Sequence, residues 1–313
     1  MVAGLLEPAG GCRMLHIIVT SYNEPKATER AVKAILRQNI KQDFKIIVVD
    51  PFPEVEKYLK QKIKDKRVEF FLDPGEGKAY ALNLLFQENP GTENDFFILT
   101  DGDVYISQNA VEEILKRFQD QKVGCVTGRP ISIDPRNTKY GLWAKVAFAG
   151  IDKARRKLSK QQGFLECSGY LFAIRKNIIF DFPTKTSEDS IIPYLLWKKG
   201  YKIAYAPRAE VYVKNPGNWR DYVAQKIRNI KAHENLNKIA PDMPRTKSFW
   251  NEIKEGATFA IRQQKNLKEL SWIVQLYIAR LYIYLKAFRE LKQKKTYQDG
   301  WREQEIKSSR RMD

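Results

Sequence analysis

Four apolar runs, Leu15–Thr20, Lys45–Val49, Val68–Leu72 and Phe96–Thr100, each give way to polar residues, with helix-forming stretches in the intervals between them. Strands alternating with helices predict an α/β chain with a mostly parallel, Rossmann-like sheet and helices on both faces. In such sheets ligands bind at the carboxyl ends of the strands. The fourth run is the most informative. It reads FFILTDGDV from Phe96 to Val104, so the strand runs into Asp101 and Asp103 with Gly102 between them. Glycine allows a tight turn there. Two ionised carboxylates this close repel. A divalent cation, Mg²⁺ or Mn²⁺, would resolve the conflict, because hard cations take oxygen ligands and bridge carboxylates to phosphates. D-G is also a common turn dipeptide, so a plain strand-end turn stands beside the metal reading.

The chain has 313 residues and a formal net charge of +18, enough for one large domain with an extension and an excess that attracts polyanions. Cys12, Cys125 and Cys167 are scattered and form no C-x-x-C pair. That pattern argues against a disulfide framework or a zinc site and points to a reducing, cytoplasmic setting. No run approaches the length of a membrane span. Residues 1–13 lack a basic start followed by an apolar core, so they are expected to be a disordered leader and not a signal peptide.

There is no G-x-G-x-x-G fingerprint. Gly77-Lys78 resembles the end of a P-loop, but Ala79 is neither Ser nor Thr and Leu72 replaces the first glycine. Lys78 opens a helix running to about Gln87, where it can meet an anion or simply be a solvated lysine. Further on, Gln108–Phe118, Thr138–Leu158, Ile191–Trp197 and Asp221–Asn237 read as helices. The strand-like stretches are Val123–Thr127, Leu171–Ile174, Tyr201–Tyr205 and Ala209–Val213. The cluster Lys153, Arg155, Arg156 and Lys157 reads as a solvated face. Asp189 falls in a first helical turn, where the dipole favours its ionised form. It is a candidate general base or an ordinary helix-terminal acid. Gln225 and Arg228 are three apart and share one helix face. Residues 239–256 are expected to be a linker, and 292–313 a charged tail, disordered in part. Ser271–Leu291 predicts an amphipathic helix with a wide aromatic face. It can lie in a membrane interface, pack on its own domain or bind a partner.

Taken in order, these stretches resemble the family 2 glycosyltransferases, cellulose- and hyaluronan-synthase-like members included, over about Leu15 to Lys238. Thr20-Ser21-Tyr22-Asn23-Glu24 resembles the family's nucleotide-binding loop, with Thr20, Tyr22 and Glu24 on the nucleotide sugar. Asp50 stands where the family binds the base. Gly77-Lys78-Ala79 with Ala81-Leu82-Asn83 resembles G-K-A-x-A-L-N. Asp101-Gly102-Asp103 matches the D-x-D motif, and Ser187-Glu188-Asp189 the T/S-E-D motif. Ser168-Gly169-Tyr170 through Arg175 resembles the acceptor-side strand and its basic end. Gln225-Lys226-Ile227-Arg228 resembles Q-x-x-R-W, with Asn229 in place of tryptophan.

The resemblance implies a GT-A fold over 14–238, with 239–291 as linker and C-terminal helical extension. It also implies inverting transfer of one sugar from a nucleotide-diphosphate sugar, UDP foremost, to an acceptor hydroxyl. Asp103 is the first choice as metal ligand, with Asp101 on the metal or the ribose. Lys78, Gln225 and Arg228 belong to the donor side, Gly169 and Glu188 to the acceptor side, and Asp189 is the base. Asn229 and the lack of membrane-spanning runs point to single transfer, or to work with a separate membrane partner, onto a glycan, a lipid-linked or another hydroxyl acceptor. Peripheral contact with the cytoplasmic membrane face through 271–291 is compatible with this. The rival readings are a nucleotidyltransferase of similar architecture and a basic nucleic-acid-binding protein. A nucleic-acid partner is not expected, because no recognised module is present.

Overall fold

The computed structural model describes residues 14–184, 186–244, 259–262 and 264–293. The expected leader, most of the expected linker and nearly all of the expected charged tail lie outside them. Among the described residues eight strands form one sheet: β1 (Leu15–Thr20), β2 (Phe44–Asp50), β3 (Val68–Leu72), β4 (Phe96–Asp101), β5 (Tyr105–Ile106), β6 (Val123–Ser132), β7 (Leu171–Arg175) and β8 (Lys202–Val213). Their order is β3-β2-β1-β4-β7-β6-β8-β5. The first four run parallel, with Leu15 level with both Phe44 and Phe96. The seventh is antiparallel to its neighbours β4 and β6, and β5 is antiparallel to β8.

Every residue of β1 is buried, which is why it reads as a continuous apolar run. Leu15, Ile17 and Val19 enter one core layer and Ile18 enters the other. Helices α1 (Pro25–Leu36) and α2 (Pro53–Lys62) cover the first layer. Helices α3 (Lys78–Glu88) and α6 (Glu188–Lys198) cover the second. Pro25 and Pro53 begin their helices where a missing N–H costs nothing.

Three expectations change. The helix expected over Gln108–Phe118 is α4 (Ala110–Leu115), followed by a 3₁₀ turn over Lys116–Gln119. The strand at Val123 continues through Gly128-Arg129-Pro130 to Ser132. The two stretches around Pro207 are one strand, β8. Thr127 pairs with Tyr205 and Arg129 with Glu210, so the segment 206–209 bulges opposite Gly128. Pro207, with no N–H to give the ladder, sits in that bulge.

A third apolar cluster lies beside the sheet, between α5 (Lys139–Lys160), α7 (Trp219–Ile239) and α8 (Leu267–Lys292). The last starts one turn before Ser271, because the Asn266 side chain accepts from the Glu269 N–H at 2.9 Å. Its inner face packs Ile273, Leu276, Ile283 and the small Ala279 and Ala287 against α5 and α7. Trp143 Nε1 donates to the Trp272 carbonyl at 2.6 Å, and Arg136 grips Glu269 at 2.8 and 3.1 Å. Of the three roles open to this helix, packing on its own domain is therefore filled. Among the described residues no helix is long and apolar enough to cross a membrane.

Candidate active site

The strand ends and the three side helices enclose a cavity of about 650 Å³. Its walls include Thr20, Tyr22 and Glu24 after β1, Lys78 at the start of α3, and Asp101 and Asp103 after β4. Gly169 before β7, Glu188 and Asp189 at the start of α6, and Gln225 and Arg228 on α7 join them, so that of the expected site residues all but Asp50 and Arg175 line the cavity. Residues far apart in sequence thus meet at one end of the sheet.

Asp101 is held on one oxygen. Its Oδ1 accepts from Thr20 Oγ1 at 3.0 Å and from Lys78 Nζ at 2.7 Å. Lys78 Nζ also lies 2.7 Å from Glu188, so the lysine bridges the D-G-D turn to α6. Burial alone would lower the Lys78 pKa, but the charges of Asp101 and Glu188 overcome it and hold the ammonium well above its ordinary range. Burial pushes the Glu188 carboxyl up, and Asp189 and Asp101 add to that against the pull of Lys78. The helix start at Lys78 depends on Gly77, whose φ of 106° strains any residue with a Cβ.

The chain turns at Gly102 as expected, but space, not backbone conformation, is what calls for glycine there. Its φ is not positive. A Cβ there would lie 2.9 Å from Thr28 Oγ1 and 3.1 Å from Ser21 Cβ. The acidic turn is pressed onto the start of α1, and the Gly102 N–H donates to the Thr20 carbonyl at 2.7 Å. Asp101 and Asp103 present hard oxygen donors to the cavity. Among the described residues no cluster of three or more metal-ligating side chains forms, so the remaining ligands of any cation would come from substrate and water.

Asp189 is clamped twice. Its Oδ2 accepts from the Gly169 N–H at 3.0 Å, and Ser187 Oγ donates to its Oδ1. Its backbone carbonyl accepts from the Cys167 N–H at 3.0 Å. That carbonyl is available because Pro193, four residues on, has no N–H to close the helical bond. Gly169 lets Asp189 come close: a Cβ there would lie 3.3 Å from Oδ2, a tight contact that would press on the carboxylate.

Two expected residues lie elsewhere. Asp50 is fully buried and does not line the cavity. Its two oxygens accept from the Asn23 and Phe52 N–H groups, each at 2.9 Å, and fix the loop that carries Tyr22. Burial raises its pKa against those hydrogen bonds. Arg175, expected as the basic end of an acceptor-side strand, sits at the opposite end of the sheet, because β7 runs antiparallel. It is buried and donates to the carbonyls of Val123, Glu93, Phe118 and Asp120.

Other wall residues were not singled out from the sequence as site residues. Arg155 is buried and points its guanidinium at the Gly128 carbonyl, while Lys153, Arg156 and Lys157 are exposed. Glu166 is 5% exposed, accepts from Ser190 Oγ at 3.2 Å, and lies 3.8 Å from His233 Nε2. An acid between Leu165 and Cys167, both apolar and buried, was the available signal.

A mixed sheet thus brings two carboxylates at a strand end and a clamped carboxylate at a helix start to one cavity. The family model for "Glycosyltransferase like family 2" matches residues 13–232. The chain belongs to that family and is a glycosyltransferase. It is 25% identical over 244 residues to poly-beta-1,6-N-acetyl-D-glucosamine synthase of Staphylococcus aureus (strain COL), a match covering 75% of this chain and 58% of that one. Against hyaluronan synthase of Streptococcus pyogenes it is 27% identical over 175 residues, 52% of this chain and 40% of the synthase. The chain thus spans about half the length of the curated relatives it matches.

Among solved structures, the mannosyltransferase PcManGT from Pyrobaculum calidifontis, in complex with GDP-Man and Mn²⁺, superposes with a TM-score of 0.64. The identity is 17%, covering 92% of this chain and 89% of that one. GalNAc-T7 with UDP, GalNAc and Mn²⁺ gives 0.51 at 16% identity, covering 80% and 58%. These likenesses show the GT-A fold.

Proposed function

We propose that the chain carries out inverting, single-sugar transfer from a nucleotide-diphosphate sugar to an acceptor hydroxyl. The observation that carries this reading is Asp189, held by the Gly169 N–H on a wall of the cavity that Asp101 and Asp103 also line. The acceptor oxygen attacks the anomeric carbon as the bond from that carbon to the β-phosphate oxygen breaks. The hydroxyl proton passes to the Asp189 carboxylate, and the electron pair of the broken bond leaves with the nucleoside diphosphate. Attack opposite the leaving group inverts the anomeric centre.

Asp103, with Asp101 through the oxygen that Lys78 does not contact, has the donor chemistry for Mg²⁺ or Mn²⁺. Two carboxylates leave room for diphosphate oxygens and water, as a hard cation requires. When bound, such an ion neutralises charge on the leaving diphosphate. The Mn²⁺ in both structural neighbours supports this choice. Arg228 lines the cavity, and its guanidinium suits it to the diphosphate. UDP is the first nucleotide to try, and a glycan or lipid-linked hydroxyl the first acceptor. Asn229, on the cavity wall in place of tryptophan, favours single transfer.

The test is nucleoside diphosphate release from a panel of nucleotide sugars with Mn²⁺, Mg²⁺ or chelator, for the wild type and Asp103→Asn. Metal-dependent release that fails in the variant is expected. Release of pyrophosphate from a nucleoside triphosphate would instead select the nucleotidyltransferase reading.

A further inference from the structure

We propose that the outward face of α8 docks the protein on an anionic lipid surface. This goes beyond sugar transfer and rests on a different face of the molecule. The inner face of α8 is consumed by packing, and part of it lines the cavity through Leu276, Tyr277 and Arg280. The outer face carries Val274, Ile278, Leu281, Leu285 and Phe288. Steps of four, three, four and three residues keep these on one stripe of the helix. Each is between 44% and 64% exposed. Trp219, from the start of α7, lies beside Tyr282 with ring centroids 5.8 Å apart, and both are well exposed. Exposed aromatics next to an aliphatic stripe suit the boundary between water and acyl chains.

Charge selects the occupant. The two acids of α8 are neutralised by the domain itself: Glu269 by Arg136, and Glu290 by Lys231 at 2.7 Å. Lys268, Lys286, Arg289 and Lys292 are exposed along the same helix. The face is therefore apolar with a basic border, on a chain of net charge +18. A second copy of this chain would bring like charges together along such a face. An anionic bilayer complements them, and its acyl chains accept the stripe.

The experiment is flotation of the full chain with phosphatidylglycerol-containing vesicles and with phosphatidylcholine vesicles, at low and high salt. Salt-sensitive binding to the anionic vesicles is expected, weakened at least about tenfold in the double variant Ile278→Glu/Leu285→Glu. Neither residue lines the cavity, so nucleoside diphosphate release in solution should be unchanged in that variant. Should the variant prove unstable, the wild type supplies a second readout: a blue shift of tryptophan emission on adding anionic vesicles, diminished in Trp219→Phe. Absence of flotation, or flotation that the double variant leaves intact, would overturn the proposal. So would equal binding to both vesicle types, or a dimer in vesicle-free solution that the same variant disperses.

Discussion

Replacing Lys78 with methionine keeps most of the side chain's volume and removes the charge between Asp101 and Glu188. Deleting one partner of a buried ion pair costs about 3–5 kcal/mol. The three side chains here are 16%, 24% and 10% exposed, so cavity water reaches Asp101 most. The low end, about 3 kcal/mol, is therefore expected. At about 2 °C per kcal/mol for a chain this long, Tm should fall by about 6 °C. The loss also has a pH signature. Burial, with Asp189 and Asp101, already holds Glu188 above its ordinary 4.5, and Lys78 is the main opposing influence. A carboxyl whose pKa is higher folded than unfolded binds its proton more tightly in the folded state. Stability therefore falls as pH rises through the interval between the two values. The deficit of Lys78→Met relative to the wild type should be small near pH 4.5 and grow toward neutrality. Urea denaturation of both proteins at stepped pH measures it. Adding Glu188→Gln should recover much of the loss at neutral pH by removing the stranded charge. A single variant as stable as the wild type at neutral pH, or a double variant no better than the single, would refute the bridging role.

Asp189→Asn should reduce nucleoside diphosphate release by about 10²- to 10⁴-fold while leaving Tm nearly unchanged; full activity would remove the base assignment. Gly102→Ala should cost about 1–3 kcal/mol from the contacts with Thr28 and Ser21, partly recovered by adding Thr28→Ala, as thermal melts would show. Arg175→Met strands carbonyls of Val123, Glu93, Phe118 and Asp120. It should cost at least about 3 kcal/mol while leaving nucleoside diphosphate affinity, measured by calorimetry on the folded fraction, intact.

The parallel half of the sheet is readable from the chain because burial on both faces makes each strand a solid apolar run, as in Leu15–Thr20. The residues of the cavity wall are readable where a short polar motif ends such a run, as at Asp101, or opens an apolar helix, as at Asp189. Strand direction is not local information. Arg175 follows its strand in sequence just as Asp101 does, yet the antiparallel course of β7 carries it to the far end of the sheet. The bulge at Pro207 depends on pairing with β6, which no window around Pro207 contains. Asp50 ends its strand as expected, but the N–H groups of Asn23 and Phe52 turn its carboxylate inward. The start of α8 is legible in Asn266, whose side chain caps the Glu269 N–H three residues on.

The missing N–H of Pro193 has a consequence for how the site moves. With the Asp189 carbonyl bonded to Cys167 and its carboxylate to Gly169, the first turn of α6 is fastened to the segment entering β7. Fraying or tilting of the rest of α6 need not alter the aim of this carboxylate. Its position is inherited from the sheet, and the Cys167 amide should exchange with solvent as slowly as a core strand's.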